Sequence, residues 1–275
     1  MVVLTTKTLL EGLGFTESPR WHNDKLWFSD MEGHKVMTVD LEGNPDTIIE
    51  MLNRPSGLGW LPDERLLIVS MEDRRLFRLD PDGLTEVANL SNFASFYLND
   101  MVVDKKGRAY IGNFGFDYFN RKPFAPAEII LVTPEGDAKV VAANMAFPNG
   151  TVITSDDKTL IVAETFATRL TAFDIMDDGS LKNRRIWANL KTIAPDGICL
   201  DAEGAIWAAA PGRYRVVRIL EGGKITHKVK ITRDVFACML GGPDRDILFT
   251  CTATKERTNG SIEFVKVDIP GAGLP

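Results

Sequence analysis

Asp196-Gly-Ile-Cys-Leu200, Ile206-Trp-Ala-Ala209 and Arg215-Val-Val-Arg-Ile219 are three short apolar runs in succession, separated by turn-forming residues. Runs this short, partly alternating between polar and apolar and bounded by Asp and Gly, read as β-strands. The unit recurs. Working towards the N-terminus, its first two runs are Asn149-Gly-Thr-Val-Ile153 with Leu160-Ile-Val-Ala163, Asn99-Asp-Met-Val-Val103 with Ala109-Tyr-Ile-Gly112, Ser56-Gly-Leu-Gly-Trp60 with Leu66-Leu-Ile-Val69, and Glu17-Ser-Pro-Arg-Trp21 with Leu26-Trp-Phe-Ser29. Towards the C-terminus comes Phe236-Ala-Cys-Met-Leu240 with Ile247-Leu-Phe-Thr250, and the six starts are spaced by 39, 43, 50, 47 and 40 residues. Third runs such as Arg75-Leu-Phe-Arg-Leu79 often end in turn signals, as in Asp80-Pro-Asp-Gly83 and Thr133-Pro-Glu-Gly136, and each unit has length left for a fourth, outer strand. Such even repetition without helical stretches predicts an all-β fold: a six-bladed β-propeller with four-stranded blades around a central channel, one domain over residues 1–275. Thr5 to Leu13 reads as an N-terminal strand that completes the last blade and closes the ring.

Composition narrows the function. With 44% hydrophobic and 25% charged residues the chain has ordinary globular usage, and a net charge of −6 without basic blocks argues against nucleic-acid binding. No basic leader and no long apolar run precede or interrupt the repeats, so the expectation is a cytoplasmic protein without membrane attachment or an obligate protein partner. Cys199, Cys238 and Cys251 lie in apolar runs without a CxxC pair and read as buried, reduced thiols.

In a propeller the innermost strands share one direction, so the residues that begin them meet at one mouth of the channel. These are Glu17, Ser56, Asn99, Asn149, Asp196 and Phe236. Asn149-Gly150 and Asp196-Gly197 also suit ordinary turns. Yet the turn acids Asp63, Asp104, Asp156, Asp201 and Asp244 follow the first run of their units, whereas Glu17, Asn99, Asn149 and Asp196 begin theirs. Two carboxylates and two amides on one axis make an all-oxygen set of the kind that binds a hard divalent cation such as Ca²⁺, Mg²⁺ or Mn²⁺. A cation in such a mouth polarises a carbonyl and activates water. Other hydrolytic signatures (G-x-S-x-G, H-E-x-x-H and the P-loop) are absent from the sequence, and His22, His34 and His227 fall at turns or near an outer strand.

Glu17-Ser18-Pro19 before Trp21, Asn99-Asp100, Phe147-Pro148-Asn149-Gly150, Ala163-Glu164-Thr165 and Pro195-Asp196-Gly197-Ile198-Cys199-Leu200 together resemble the senescence marker protein (regucalcin), gluconolactonase and luciferin-regenerating enzyme family, over about Phe15 to Asp268. The resemblance implies one divalent metal on Glu17, Asn149 and Asp196, with Ca²⁺ first and Mg²⁺, Mn²⁺ or Zn²⁺ as alternatives. Asn99 would serve the same site or the substrate, and Asp196 would be the general base or nucleophile. The implied activity is that of a metal-dependent lactonase or esterase acting on a small lactone or ester. A non-catalytic calcium- or ligand-binding propeller and an organophosphate-type phosphoester hydrolase are the alternatives.

Sugar-lactone members of that family place an arginine two residues before the Asn-Asp pair, where this chain has Tyr97. The exchange points away from polyhydroxylated lactones, towards less polar ones. The long third unit adds Phe114, Phe116, Tyr118, Phe119 and Phe124, with Phe93 and Phe96 just before it. These residues are expected to form either an apolar wall over the mouth or an ordinary packing cluster. Tyr97, Asn99, Phe114, Phe116 and Tyr118 are thus the candidate substrate-side residues, and Phe236 extends the wall. Glu164 and Asn113 end second strands, are expected to return to the far face, and are assigned structural roles. Arg20, inside an inner strand, is a weaker candidate for substrate contact.

Overall fold

The computed structural model describes residues 1–274 as six sheets, each built mainly of antiparallel strands. Their innermost strands are Thr16–His22, Pro55–Trp60, Leu98–Val103, Pro148–Ile153, Ile198–Leu200 and Asp234–Gly241. Each packs against the innermost strands of its neighbours, the last against the first, so the sheets are the blades of a closed six-bladed propeller. Within a blade the strands run up and down in sequence order, as Pro148–Ile153, Thr159–Glu164, Arg169–Ile175 and Leu181–Asn189 do in blade four. Apart from a 3₁₀ turn at Thr165–Ala167 the described residues contain no helix, and none long and apolar enough to cross a membrane.

The segment Thr5 to Leu13 supplies the strand that completes the last blade, and a further strand precedes it. Lys7–Leu13 runs antiparallel to Gly260–Lys266 on the outside of blade six. Val2–Thr5 lies parallel to Ile225–Lys230 and adds a fifth strand to blade five, covering its outer edge.

Apolar side chains fill the spaces between blades. Leu67 and Val69 of blade two pack with Met101 and Ile111 of blade three, Ile161 of blade four with Ile206 of blade five, and Leu26 and Phe28 of blade one with Leu240 and Phe249 of blade six. At roughly 1.5–3 kcal/mol for each buried Leu, Ile or Phe, these layers hold neighbouring blades together. The three cysteines are free and buried in this packing, with the Cys199 and Cys238 sulfurs 4.0 Å apart.

Near the mouth the innermost strands converge so tightly that only glycine fits. A Cβ on Gly150 would stand 2.4 Å from the Ile198 nitrogen, and one on Gly197 would stand 2.5 Å from the Ala237 Cβ. Neither glycine has a positive φ. They are therefore points of strand contact, and the Asn-Gly and Asp-Gly pairs are not turns. The Gly150 N–H donates to the Asp196 carbonyl at 3.3 Å and the Gly197 N–H to the Phe236 carbonyl at 2.8 Å, tying one blade start to the next.

Candidate active site

Five of the six innermost strands carry a register shift at their first residues: Glu17/Arg20, Pro55/Leu58, Leu98/Met101, Pro148/Thr151 and Val235/Ala237. A bulge bends the strand and re-aims its side chains. Ser18 and Phe147, at two of these points, take positive φ values of 50° and 63°. Non-glycine residues are held there only when their surroundings demand it. Glu17, Asn99 and Asn149, at three of these shifts, and Asp196, two residues before the unshifted strand of blade five, line one cavity of about 140 Å³ at the mouth.

The two amides are oriented from behind. Asn99 Nδ2 donates to the Pro148 carbonyl at 3.1 Å, and Asn149 Nδ2 to Thr165 Oγ1 at 3.3 Å. Thr165 Oγ1 in turn donates to the carbonyl of Pro195 at 2.8 Å, linking the supports of Asn149 and Asp196. With their nitrogens engaged, both amides retain a side-chain carbonyl oxygen for another partner.

The acids are only partly compensated: Glu17 Oε2 accepts the Ser18 N–H at 3.0 Å, and among the described residues neither acid forms an ion pair. Burial, then the neighbouring charge of Asp196, pushes the Glu17 carboxyl well above its usual range. Burial likewise raises Asp196 to about 7, against the opposing influence of Arg257 and Asn149. Asp196 Oδ1 is buried and accepts no hydrogen bond. A buried carboxylate oxygen without a partner is costly, and a hard cation supplies what it lacks. Among the described residues no three His, Cys, Asp or Glu side chains gather at one point. The donors here are two carboxylates and two amide oxygens, which suit Ca²⁺ or another hard divalent ion. The residues present therefore fit the cation implied by the sequence.

Around this polar floor stands an aromatic wall. Phe114 and Tyr118 line the cavity, joined by Phe15, Phe119, Phe147 and Phe166. Phe114 and Phe147 lie 4.4 Å apart between ring centroids, and Phe15 meets Phe236 edge-on at 4.8 Å. Tyr97 and Phe116 belong to the same cluster but not to the lining: Tyr97 stacks on Phe96 at 4.3 Å behind Phe114 and Phe119, while Phe116 is buried against Phe147. Arg257, from the turn before the third strand of blade six, also lines the cavity and has no counterpart in the sequence reading. Its neighbours Lys255 and Glu256 are exposed charges like many others, so the sequence carries no signal for it. Phe15 and Phe147 did carry one, standing two residues before Glu17 and Asn149.

The expectation that Glu164 and Asn113 return to the far face is reversed. They pair with Pro148 and Leu98, level with the mouth, because a second strand runs back to where the first began. Both side chains nonetheless serve the blades. Glu164 accepts from Arg169 Nε at 2.8 Å, the Ala146 N–H at 2.7 Å and Thr171, and Asn113 Nδ2 donates to Glu128. Arg20 is buried below the mouth, paired with Asp100 at 2.6 Å and donating to the carbonyls of Leu58, Met101 and Pro19. His227 is buried beside Trp207 and His34 stands at a turn, but His22, expected at a turn, ends the innermost strand of blade one and stacks on Trp60 at 4.1 Å.

The profile of the SMP-30/gluconolactonase/LRE-like region matches residues 15–254. The chain belongs to this family. The family relative regucalcin of Xenopus laevis is 36% identical over 253 residues, spanning 86% of this chain and 82% of its own. Pentonolactonase of Haloferax volcanii is 26% identical over 244 residues, spanning 86% and 81%. A solved structure of a calcium-binding protein, regucalcin, from Agrobacterium tumefaciens shares the fold with a TM-score of 0.83 at 20% identity, covering 100% of this chain and 98% of that one.

Proposed function

We propose that this family member is a divalent-metal-dependent hydrolase that opens a small lactone or ester, with Glu17, Asn149 and Asp196 holding the cation and Asn99 beside them. The observation that carries the reading is the buried, unpartnered Asp196 Oδ1, in one cavity with a second raised carboxyl and two amide oxygens. The lactonases among its relatives support the same reaction class. Ca²⁺ is the first choice of ion, consistent with an all-oxygen donor set and with a relative named as calcium-binding.

When bound, the cation would polarise the substrate carbonyl and stabilise the negative charge that develops on it. Everything else comes from the chain. Asn149, held by Thr165, and Asn99, held by the Pro148 carbonyl, enter the reaction with their side chains already oriented, which lowers the cost of organising the site. Asp196 takes the proton from the attacking water on the carboxylate oxygen not given to the cation and returns it to the departing alkoxide oxygen. Burial raises this carboxyl to about 7 in the metal-free protein, and a bound cation would lower it and keep it ionised. Phe114, Phe147 and Phe166 exclude bulk water and accommodate a ring of low polarity. Tyr97 shapes this wall from behind Phe114.

The test is hydrolysis of a panel from gluconolactone to aliphatic and aromatic lactones by metal-stripped protein, with Ca²⁺, Mg²⁺, Mn²⁺ or Zn²⁺ restored. The expected result is turnover that requires metal, favours apolar lactones and disappears in Asp196→Ala. Metal binding without turnover on any member of the panel would sink the hydrolase reading in favour of a ligand-binding propeller.

A further inference from the structure

The mouth cavity contains one cation of its own. Arg257 is the only Lys, Arg or His among its lining residues, and among the described residues it makes no ion pair. Its guanidinium lies over the rings of Phe15, Tyr118 and Phe119, with centroids 5.5, 5.2 and 5.7 Å away. Its one side-chain hydrogen bond is a long one, 3.5 Å from Nη2 to Tyr118 Oη. Arg54 makes a useful contrast: it also stands over Phe119, at 5.7 Å, but is neutralised by Glu32 at 3.0 Å and Glu72 at 3.3 Å.

Charge counting then separates the two halves of the cavity. A divalent cation on Glu17 and Asp196 would balance both carboxylates, which otherwise share the field of Arg257, and leave that guanidinium in an aromatic wall with Asp234, outside the lining and bonded to the Gly212 N–H at 2.6 Å, as the further buried acid near Asp196. A guanidinium fixed by three rings, with donors unspent, recognises a planar or tetrahedral oxyanion. A second groove at the rim, lined by Tyr118, Phe119, Arg121 and Arg257, brings another arginine to the same side. Blade three supplies no positive charge to this cavity. Blade six supplies one, and places it next to rings.

We propose that Arg257 is a specificity-determining residue, and that the substrate is a single-ring lactone or ester of low polarity carrying an oxyanion, such as a carboxylate, held by Arg257 while the ring lies against the aromatic wall. This rests on the proposed metal site for its charge balance, so the test reads binding and separates the two. Benzenesulfonate, a poor metal ligand, is compared with methyl phenyl sulfone, its neutral isostere, by NMR titration of Ca²⁺-loaded protein, Arg257→Gln, Arg257→Lys and metal-free Glu17→Gln/Asp196→Asn. The sulfonate should bind Ca²⁺-loaded wild type about tenfold more tightly than the sulfone. Arg257→Gln should bring the two within about twofold without changing sulfone affinity, which also verifies its fold, and Arg257→Lys should keep part of the preference. The double variant removes both carboxylate charges without metal and should show the full preference. A preference seen there but not in Ca²⁺-loaded wild type would overturn the metal site and leave the anion site standing. Equal affinities in both proteins, or a preference that survives Arg257→Gln, would overturn the role of Arg257.

Discussion

Glu164 and Asp196 are buried carboxylates at the same end of the propeller, one in the wall of blade four and the other at the channel mouth, and they have opposite electrostatics. Burial alone would raise Glu164, but hydrogen bonds from Arg169, Thr171 and the Ala146 N–H outweigh it and hold the group below the usual carboxylate range. Asp196 is also buried, with only the more distant charge of Arg257 and the Asn149 amide to oppose it, and rises to about 7, with Oδ1 unpartnered. Arg20 and Asp100 repeat the lesson below the mouth, since their charges are matched at 2.6 Å. A buried acid that the fold satisfies is part of the framework, whereas one left unsatisfied is available to a ligand.

The strongest way to break this comparison is to exchange the outcomes. Asp196→Ala should lower kcat/KM for the preferred lactone by about 10³-fold or more, with the fold retained by circular dichroism. Glu164→Ala should do the reverse, leaving Arg169 and Arg184 without their buried partner. The arginines left behind are partly exposed, so the loss of these hydrogen bonds costs about 1–3 kcal/mol, read as a lowered denaturation midpoint, while Ca²⁺ affinity measured on the folded protein changes less than about threefold. An activity loss from Glu164→Ala with no loss of stability would dissolve the distinction.

The pH dependence sharpens it. For Asp196 the folded-state pKa lies above the unfolded one, so metal-free protein binds more protons folded than unfolded between about pH 4 and 7. Its contribution is fully present below the unfolded pKa and is lost as pH rises through the folded value. Metal-free wild type should therefore melt lower at pH 8 than at pH 5, and Asp196→Asn should flatten that fall by about 5 °C. Saturating Ca²⁺ should stabilise wild type more at pH 8 than at pH 5. A melting temperature of the metal-free protein that rises over this interval as much as that of Asp196→Asn would refute the assignment. The smallest effect is expected at Thr165→Val, which frees Asn149 Nδ2 and should weaken Ca²⁺ binding about tenfold by calorimetry with little change in melting temperature.

Much of this was legible in the chain. The six starts from Glu17 to Phe236 coincide with the first residues of innermost strands or stand within two residues of them, because strand length, apolar runs and turn residues are local properties. Glu17, Asn99, Asn149 and Asp196 could be grouped because a propeller places equivalent ends at one mouth. Three things were not legible. The placing of Glu164 and Asn113 level with the mouth emerges from their pairing with Pro148 and Leu98. Val2–Thr5 finds its partner on blade five through a contact more than 200 residues away, which a short apolar run does not announce. Tyr97 and Phe114, although both predicted for the substrate side, are sorted into second row and lining only by how the rings pack.

By itself the sequence determined the repeat, the blade number and the oxygen-rich character of the mouth, since each depends on residue type and spacing along the chain. Tertiary structure alone decided that Glu164 is satisfied and Asp196 Oδ1 is not, that Gly150 and Gly197 are points of contact between blades, and that Arg257 enters an aromatic wall without a direct ion pair. Those outcomes depend on distances between residues remote in the chain, and burial and charge pairing have no value until the ring has closed.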